Sequence, residues 1–99
     1  MVTADQISDP QDLRLVARVD GEVRQDASTG DMIFTMAEII SYLSQIIEMR
    51  PGDVIATGSP EGTGGSFDPP RFLTAGQQIE IEIEGIGVLT NDVVAEAKL

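Results

Sequence analysis

The sequence contains no cysteine and no histidine. Those absences remove disulfides, thiolate and imidazole metal sites, and every catalytic unit built on a cysteine nucleophile or a histidine base. Tryptophan is missing as well, and the aromatic side chains are Phe34, Tyr42, Phe67 and Phe72. The core must therefore be aliphatic, and stacking platforms for bases are few. Basic residues are scarce: 6 Lys and Arg face 17 Asp and Glu, for a net charge of −11. Repulsion from phosphates opposes binding to nucleic acid or an anionic membrane, and neither is expected as a partner. No apolar run approaches the roughly 20 residues of a membrane span. The opening "MVTADQISDP" also lacks the basic and apolar regions of a signal peptide. A cytoplasmic setting is the expectation.

What is present is ordinary for a folded chain. At 99 residues, 41% hydrophobic and 23% charged, the sequence makes one domain at most, with a thin core. "LRLVARV" alternates Leu13, Leu15, Ala17 and Val19 with Arg14, Val16 and Arg18, which is the period of a strand. Asp20-Gly21 then leads into "EVRQD", and Asp-Gly at this place predicts a two-residue hairpin. "ASTGDMIF" reads as a loop in which Asp31 is a turn former rather than a catalytic acid. Thr35-Met36-Ala37-Glu38 has the form of a capping box, with Phe34 and Ile39 placed for a hydrophobic staple. Met36, Ile39, Ile40, Leu43, Ile46 and Ile47 then give a helix one strongly apolar face, and Pro51 in "RPGD" is expected to end it.

"DVIAT", residues 53–57, reads as a short buried strand running into the glycine loop "ATGSPEGTGG". "FDPPRFLTAGQ" is irregular, and "QIEIEIEG" and "VLTNDVV" form two strands joined at Gly85-Ile86-Gly87. The order of elements predicts a β-rich α+β unit of about five short strands and one helix. The helix shows more apolar surface than such a sheet needs, so a further partner is expected.

The glycine loop fails both phosphate patterns. No lysine follows its last glycine as in a Walker A loop, and Phe67 stands where the dinucleotide fingerprint needs a third glycine. Two readings stay open on pattern alone: a flexible connector, or a loop presenting the hydroxyls of Thr57, Ser59 and Thr63 to a small ligand. Glu80, Glu82 and Glu84 could be taken for a Ca²⁺ or Mg²⁺ site, but side chains two apart on a strand lie roughly 6 to 7 Å apart. A solvated sheet face is the better reading.

Taken together, "VTADQISDPQDLRL", "VDGEVRQDASTGDMIF", "AEIISYLSQIIEMRPGDVIATGSPEG" and "PPRFLTAGQQIEIEIEGIGVLTN" resemble the C-terminal part of the fumarylacetoacetate hydrolase family, from about Val2 to Val94. The run "PGDVIATGSPEG" carries the resemblance most specifically. It implies the C-terminal part of a mixed β-fold, with residues 1–99 as a partial catalytic domain. It also implies an enzyme acting on 2-oxo acids, acylpyruvates or other 1,3-dicarbonyl compounds by hydrolysis, decarboxylation or isomerisation. In that family a Mg²⁺ or Mn²⁺ ion chelates the substrate's oxo and carboxylate oxygens and stabilises the oxyanion that forms.

The family's Glu, Glu and Asp metal ligands, its lid His-Glu pair and a substrate-facing Lys all lie upstream of the segments matched here. This chain alone is therefore expected to bind no metal and to lack catalytic residues. One position carries over: where the family has "TGTPxG" with its second Thr hydroxyl on substrate, this sequence has Gly58 followed by Ser59, the expected substrate-binding residues. Two departures stand beside them: Glu61 occupies a place where the family commonly has a small residue, and "GTGGSFD" replaces a shorter ending. The implied partners are a second copy or a separate N-terminal half. The rival reading is a non-catalytic pseudoenzyme or dimerisation module of the same fold.

Overall fold

The computed structural model describes residues 2–97. Strands β1 (Arg14–Val19) and β2 (Glu22–Ser28) form the expected hairpin, followed by helix α1 (Met36–Ser44), then β3 (Gln78–Ile83) and β4 (Gly87–Asp92). All neighbours are antiparallel in the order β2-β1-β3-β4. The β-rich α+β class is borne out, with four strands rather than about five. At the hairpin tip Asp20 and Gly21 both have positive φ, 51° and 79°, the signature a type I′ turn requires. β2 runs two residues past Asp26, because the Leu13 carbonyl and amide pair with Thr29 and draw the end of the strand onto the sheet.

The sheet has one charged and one apolar face. Register places Val16 opposite Glu82 and Arg18 opposite Glu80, while Leu15, Ala17 and Val19 face Ile83, Ile81 and Ile79. Arg18 bonds Glu82 at 2.8 Å and Arg14 grips Asp26 through two hydrogen bonds of 2.8 and 2.6 Å. Each carboxylate on this face thus has an arginine nearby, but Glu80 and Glu82 are half-buried and Val16 beside Glu82 is buried, so the face is less solvated than expected. The bidentate contact lowers the Asp26 pKa and raises that of Arg14.

Helix α1 begins as expected. The Thr35 hydroxyl accepts from the Glu38 amide at 3.2 Å, and the Glu38 carboxylate accepts from the Thr35 amide at 2.8 Å. Gln11 ties this end to the sheet: its side chain donates to the Thr29 carbonyl and accepts from the Met36 amide. Asp31 accepts from the Ser28 amide, a turn-forming role as expected.

Two expectations fail. The helix stops at Ser44, well short of Pro51. The amides of Gln45 and Ile46 bond three residues back, to Tyr42 and Leu43, which tightens the last turn, and the Ser44 and Gln45 side chains both bond the Ser41 carbonyl. Ile46 and Ile47, expected inside the helix, lie beyond it and are more than half exposed, although the Ile47 amide still bonds the Leu43 carbonyl four residues back at 2.9 Å. Residues 53–57 form no strand either: no strand among the described residues pairs with them, and Val54 is 91% exposed.

The core is thin. Val16 and Val19 are its only buried apolar side chains among the described residues, and neither is fully buried, while Leu89 on the apolar sheet face is 60% exposed. The accessible surface is 7943 Å², against about 5,500 Å² for a folded monomer of this mass. The radius of gyration is 16.1 Å, against about 13 Å for a compact chain of 100 residues. Much of the excess is apolar and lies on α1 and the segments around it, where Phe34, Ile40, Tyr42 and Ile47 face outward.

Candidate functional site

The glycine loop is held between two elements. Its approach run lies beside the helix, where Phe34, Ile39, Tyr42, Leu43 and Ile55 line an apolar hollow of about 630 Å³. Phe34 and Ile39, the expected staple pair, share that hollow.

Past Ser59 the loop turns onto β2. The Gln25 side-chain amide donates to the Pro60 carbonyl at 3.0 Å and to the Glu61 carbonyl at 2.9 Å. Gly62, with φ of +89°, then comes so close that a Cβ there would sit 2.2 Å from the Arg24 carbonyl oxygen. Only glycine permits that approach. The contact falls at a β-bulge: Ala17 pairs with Gln25 and Arg18 with Val23, leaving Arg24 as the extra residue. Bulges commonly re-aim neighbouring side chains beside functional sites.

Beyond Gly62 a second clasp closes the loop. The Arg71 amide donates to the Gly64 carbonyl at 2.8 Å, and the Arg71 guanidinium grips Glu22 through two bonds of 2.8 Å. That grip lowers the Glu22 pKa and raises that of Arg71. The guanidinium carbons of Arg24 and Arg71 lie 5.7 and 5.4 Å from the centroid of the Phe67 ring, within cation–π range. Arg24 Nε is 3.5 Å from Glu22, an ion pair without a hydrogen bond, and that nitrogen is buried with no hydrogen-bond partner.

Gly58 and Ser59 stand at the junction of the two holds. Both are exposed, Gly58 has φ of +101°, and the Ser59 hydroxyl has no hydrogen-bond partner among the described residues. A free hydroxyl on an anchored loop is available to donate to an outside oxygen. Glu61 is exposed while its backbone carbonyl is tied to Gln25.

The donors present do not fit a divalent cation. Among the described residues no three carboxylates come close enough to hold an ion, and Glu82 is already bound by Arg18. Gln25, Gly62 and the Arg24 bulge were not anticipated as site residues. The signal was the run "VRQD", where a strand expected to alternate carries three polar residues in succession.

The profile of the fumarylacetoacetate (FAA) hydrolase C-terminal family matches residues 1–94. The chain belongs to this family. It is 44% identical over 94 residues to the mitochondrial oxaloacetate tautomerase FAHD2A of Bos taurus, covering 95% of this chain and 30% of that protein. Among solved structures, fumarylacetoacetate hydrolase from psychrophilic Exiguobacterium antarcticum superposes with a TM-score of 0.91 at 43% identity, over 96% of this chain and 34% of the other. Maleylpyruvate hydrolase from Sphingobium sp. SYK-6, in complex with manganese(II) and pyruvate, superposes with a TM-score of 0.85 at 36% identity, over 95% of this chain and 33% of the other. The chain thus spans about a third of the length of these FAA hydrolase relatives. The family membership and the C-terminal fold expected from the sequence are both borne out. No helix among the described residues is long and apolar enough to cross a membrane.

Proposed function

We propose that this chain is the substrate-loop portion of an enzyme that hydrolyses, decarboxylates or isomerises 2-oxo acids or acylpyruvates. The observation that carries the reading is the exposed, unpartnered Ser59 hydroxyl, held one residue ahead of a loop segment that Gln25 ties to β2. The names of the relatives support the substrate class: oxaloacetate, maleylpyruvate and fumarylacetoacetate are all oxo acids.

In this reading Ser59 donates its hydroxyl proton to a carbonyl or carboxylate oxygen of the substrate. A pre-placed donor aimed at an oxygen that gains negative charge is worth about 10²- to 10³-fold in rate. The acid/base groups come from outside residues 2–97. So would the ligands for Mg²⁺ or Mn²⁺, the latter bound in the maleylpyruvate hydrolase relative, since the carboxylates described here do not converge on an ion. The partner is therefore a complementing N-terminal portion of the family's fold, with a homodimer as the assembled form in the cytoplasm.

The test is a fusion of this chain to a complementing N-terminal portion of a relative, assayed with acylpyruvates and oxaloacetate in the presence of Mg²⁺ or Mn²⁺. Activity should appear, fall about 10²-fold or more in Ser59→Ala, and stay within about twofold in Glu82→Ala, whose carboxylate faces Arg18. A well-folded fusion without activity refutes the proposal.

The outward apolar face of α1 favours a second reading, a non-catalytic module that pairs with a complete homologue. Co-purification with such a homologue, coupled to an inactive fusion, would select it.

A further inference from the structure

We propose that Gln25 is a positioning residue that sets Ser59 for contact with substrate. This rests on the functional reading above.

The restraint passes along the backbone in three steps. Gln25 Nε2 has two hydrogens, and the two consecutive carbonyls of Pro60 and Glu61 take one each. Two adjacent peptide planes are thereby fixed to β2. The ring of Pro60 holds its φ near −65°, which leaves ψ of Pro60 as the one soft dihedral between the tethered carbonyl and the Ser59–Pro60 peptide. Ser59 precedes a proline and is itself confined to extended geometry. The C-terminal side of Ser59 thus has little freedom as far as the Gln25 amide.

The N-terminal side is different. Gly58 sits at φ +101°, and nothing lies within 4 Å of where its Cβ would be. Among the described residues no hydrogen bond fixes residues 54–59, so the nearest hydrogen-bonded restraint on Ser59 is the Gln25 amide. The bulge at Arg24 sets Gln25 in turn: it takes up one residue of β2, after which Gln25 pairs with Ala17.

If Gln25 merely filled space, methionine of similar length would serve in its place. If it positions the loop through donated hydrogen bonds, Gln25→Met fails and Gln25→Lys, which reaches the same carbonyls with a donor, restores the hold.

The first measurement is ¹⁵N relaxation on the 99-residue chain. The Glu61 and Gly62 amides should be as rigid as the strands in the wild type, with order parameters near about 0.85, and drop below about 0.6 in Gln25→Met. They should recover in Gln25→Lys. The second is a double-mutant cycle in the active fusion. Gln25→Met should lower kcat/KM by about tenfold, and in a Ser59→Ala background it should lower it by less than about twofold.

Rigid loop amides in Gln25→Met overturn the proposal, as do additive losses in the cycle. A wild-type fusion without activity refutes the functional reading instead, and the relaxation data then decide by themselves whether Gln25 holds the loop.

Discussion

Replacing Gly62 with alanine forces a choice between a clash and a release. The new Cβ would sit 2.2 Å from the Arg24 carbonyl oxygen and 3.2 Å from the Gln25 Cγ. Even close carbon–oxygen contacts are about 3.3 Å or longer, so the loop backbone would have to retreat by about 1 Å. The positive φ of +89° adds about 1–2 kcal/mol for an L-residue. The alternative is to let the loop lift from β2. That gives up the two Gln25 hydrogen bonds, at about 0.5–1.5 kcal/mol each, and removes the clash and the strain together.

Release is the lower-energy outcome, so the loss of global stability is capped at about 1–3 kcal/mol. A urea midpoint and residue-level ¹⁵N relaxation measure both quantities. The amides from Glu61 to Thr63, which donate no hydrogen bond among the described residues, should fall below order parameters of about 0.6 while those of β1 and β3 stay at about 0.85. Gly58→Ala is the control: its φ is equally positive, but its Cβ would meet nothing within 4 Å. It should cost only the strain of about 1–2 kcal/mol and leave the loop on β2. Loop amides as rigid as in the wild type and an unchanged urea midpoint in Gly62→Ala would refute the close approach on which the site is built.

Thr35→Ala should lower stability by about 1 kcal/mol, read by urea titration, because it removes the oxygen that caps the Glu38 amide. The Thr35 amide and hydroxyl hold the Glu38 carboxyl below the ordinary glutamate range. The folded value is depressed, so the cap contributes fully above about pH 4.3 and is lost as pH falls through the lower folded value. An NMR titration of the Thr35 amide should therefore have its midpoint below that of an ordinary glutamate, and Glu38→Gln should abolish that titration. Phe67→Ala should cost about 0.5–1 kcal/mol and raise exchange at Arg71, since the ring partners two guanidiniums at its surface. Ile47→Lys should change the unfolding midpoint of the isolated chain by no more than about 0.5 kcal/mol, because Ile47 is half exposed and packs in no core.

The elements that announce themselves through local chemistry were legible in the sequence. Asp20-Gly21 specifies its own backbone geometry, the Thr35 to Glu38 box satisfies amides within four residues, and Ile79, Ile81 and Ile83 alternate over the whole of β3. What misled were segments whose structure depends on a neighbour. The apolar run around Val54 has the composition of a buried strand, but a strand needs a partner edge, and none of the described strands pairs with it. The hydrophobic period of α1 continues through Ile47, yet period reports a face that wants covering, and an uncovered face does not hold its last turn. At the site, the exposed position of Ser59 followed from the glycine pattern. The Gln25 tether did not, because it joins residues far apart in the chain through a bulge that no local motif encodes.

The pairing of β1 with β3 has a consequence for how this region tolerates variation in length. Everything between β2 and β3, the helix and the glycine loop included, is an excursion whose two ends are brought together by the sheet itself. Within it, Gln25 and Arg71 pin the chain again on either side of residues 62–70. Between fixed ends, doubling the length of a flexible stretch costs only about 0.6 kcal/mol in closure entropy. Within residues 62–70, Gly64 is clasped by the Arg71 amide and Phe67 lies against two guanidiniums, so added length is best absorbed at residues 68–70, which are exposed and make no hydrogen bond among the described residues. Residues added there would leave Pro60 and Glu61 held on β2 by Gln25.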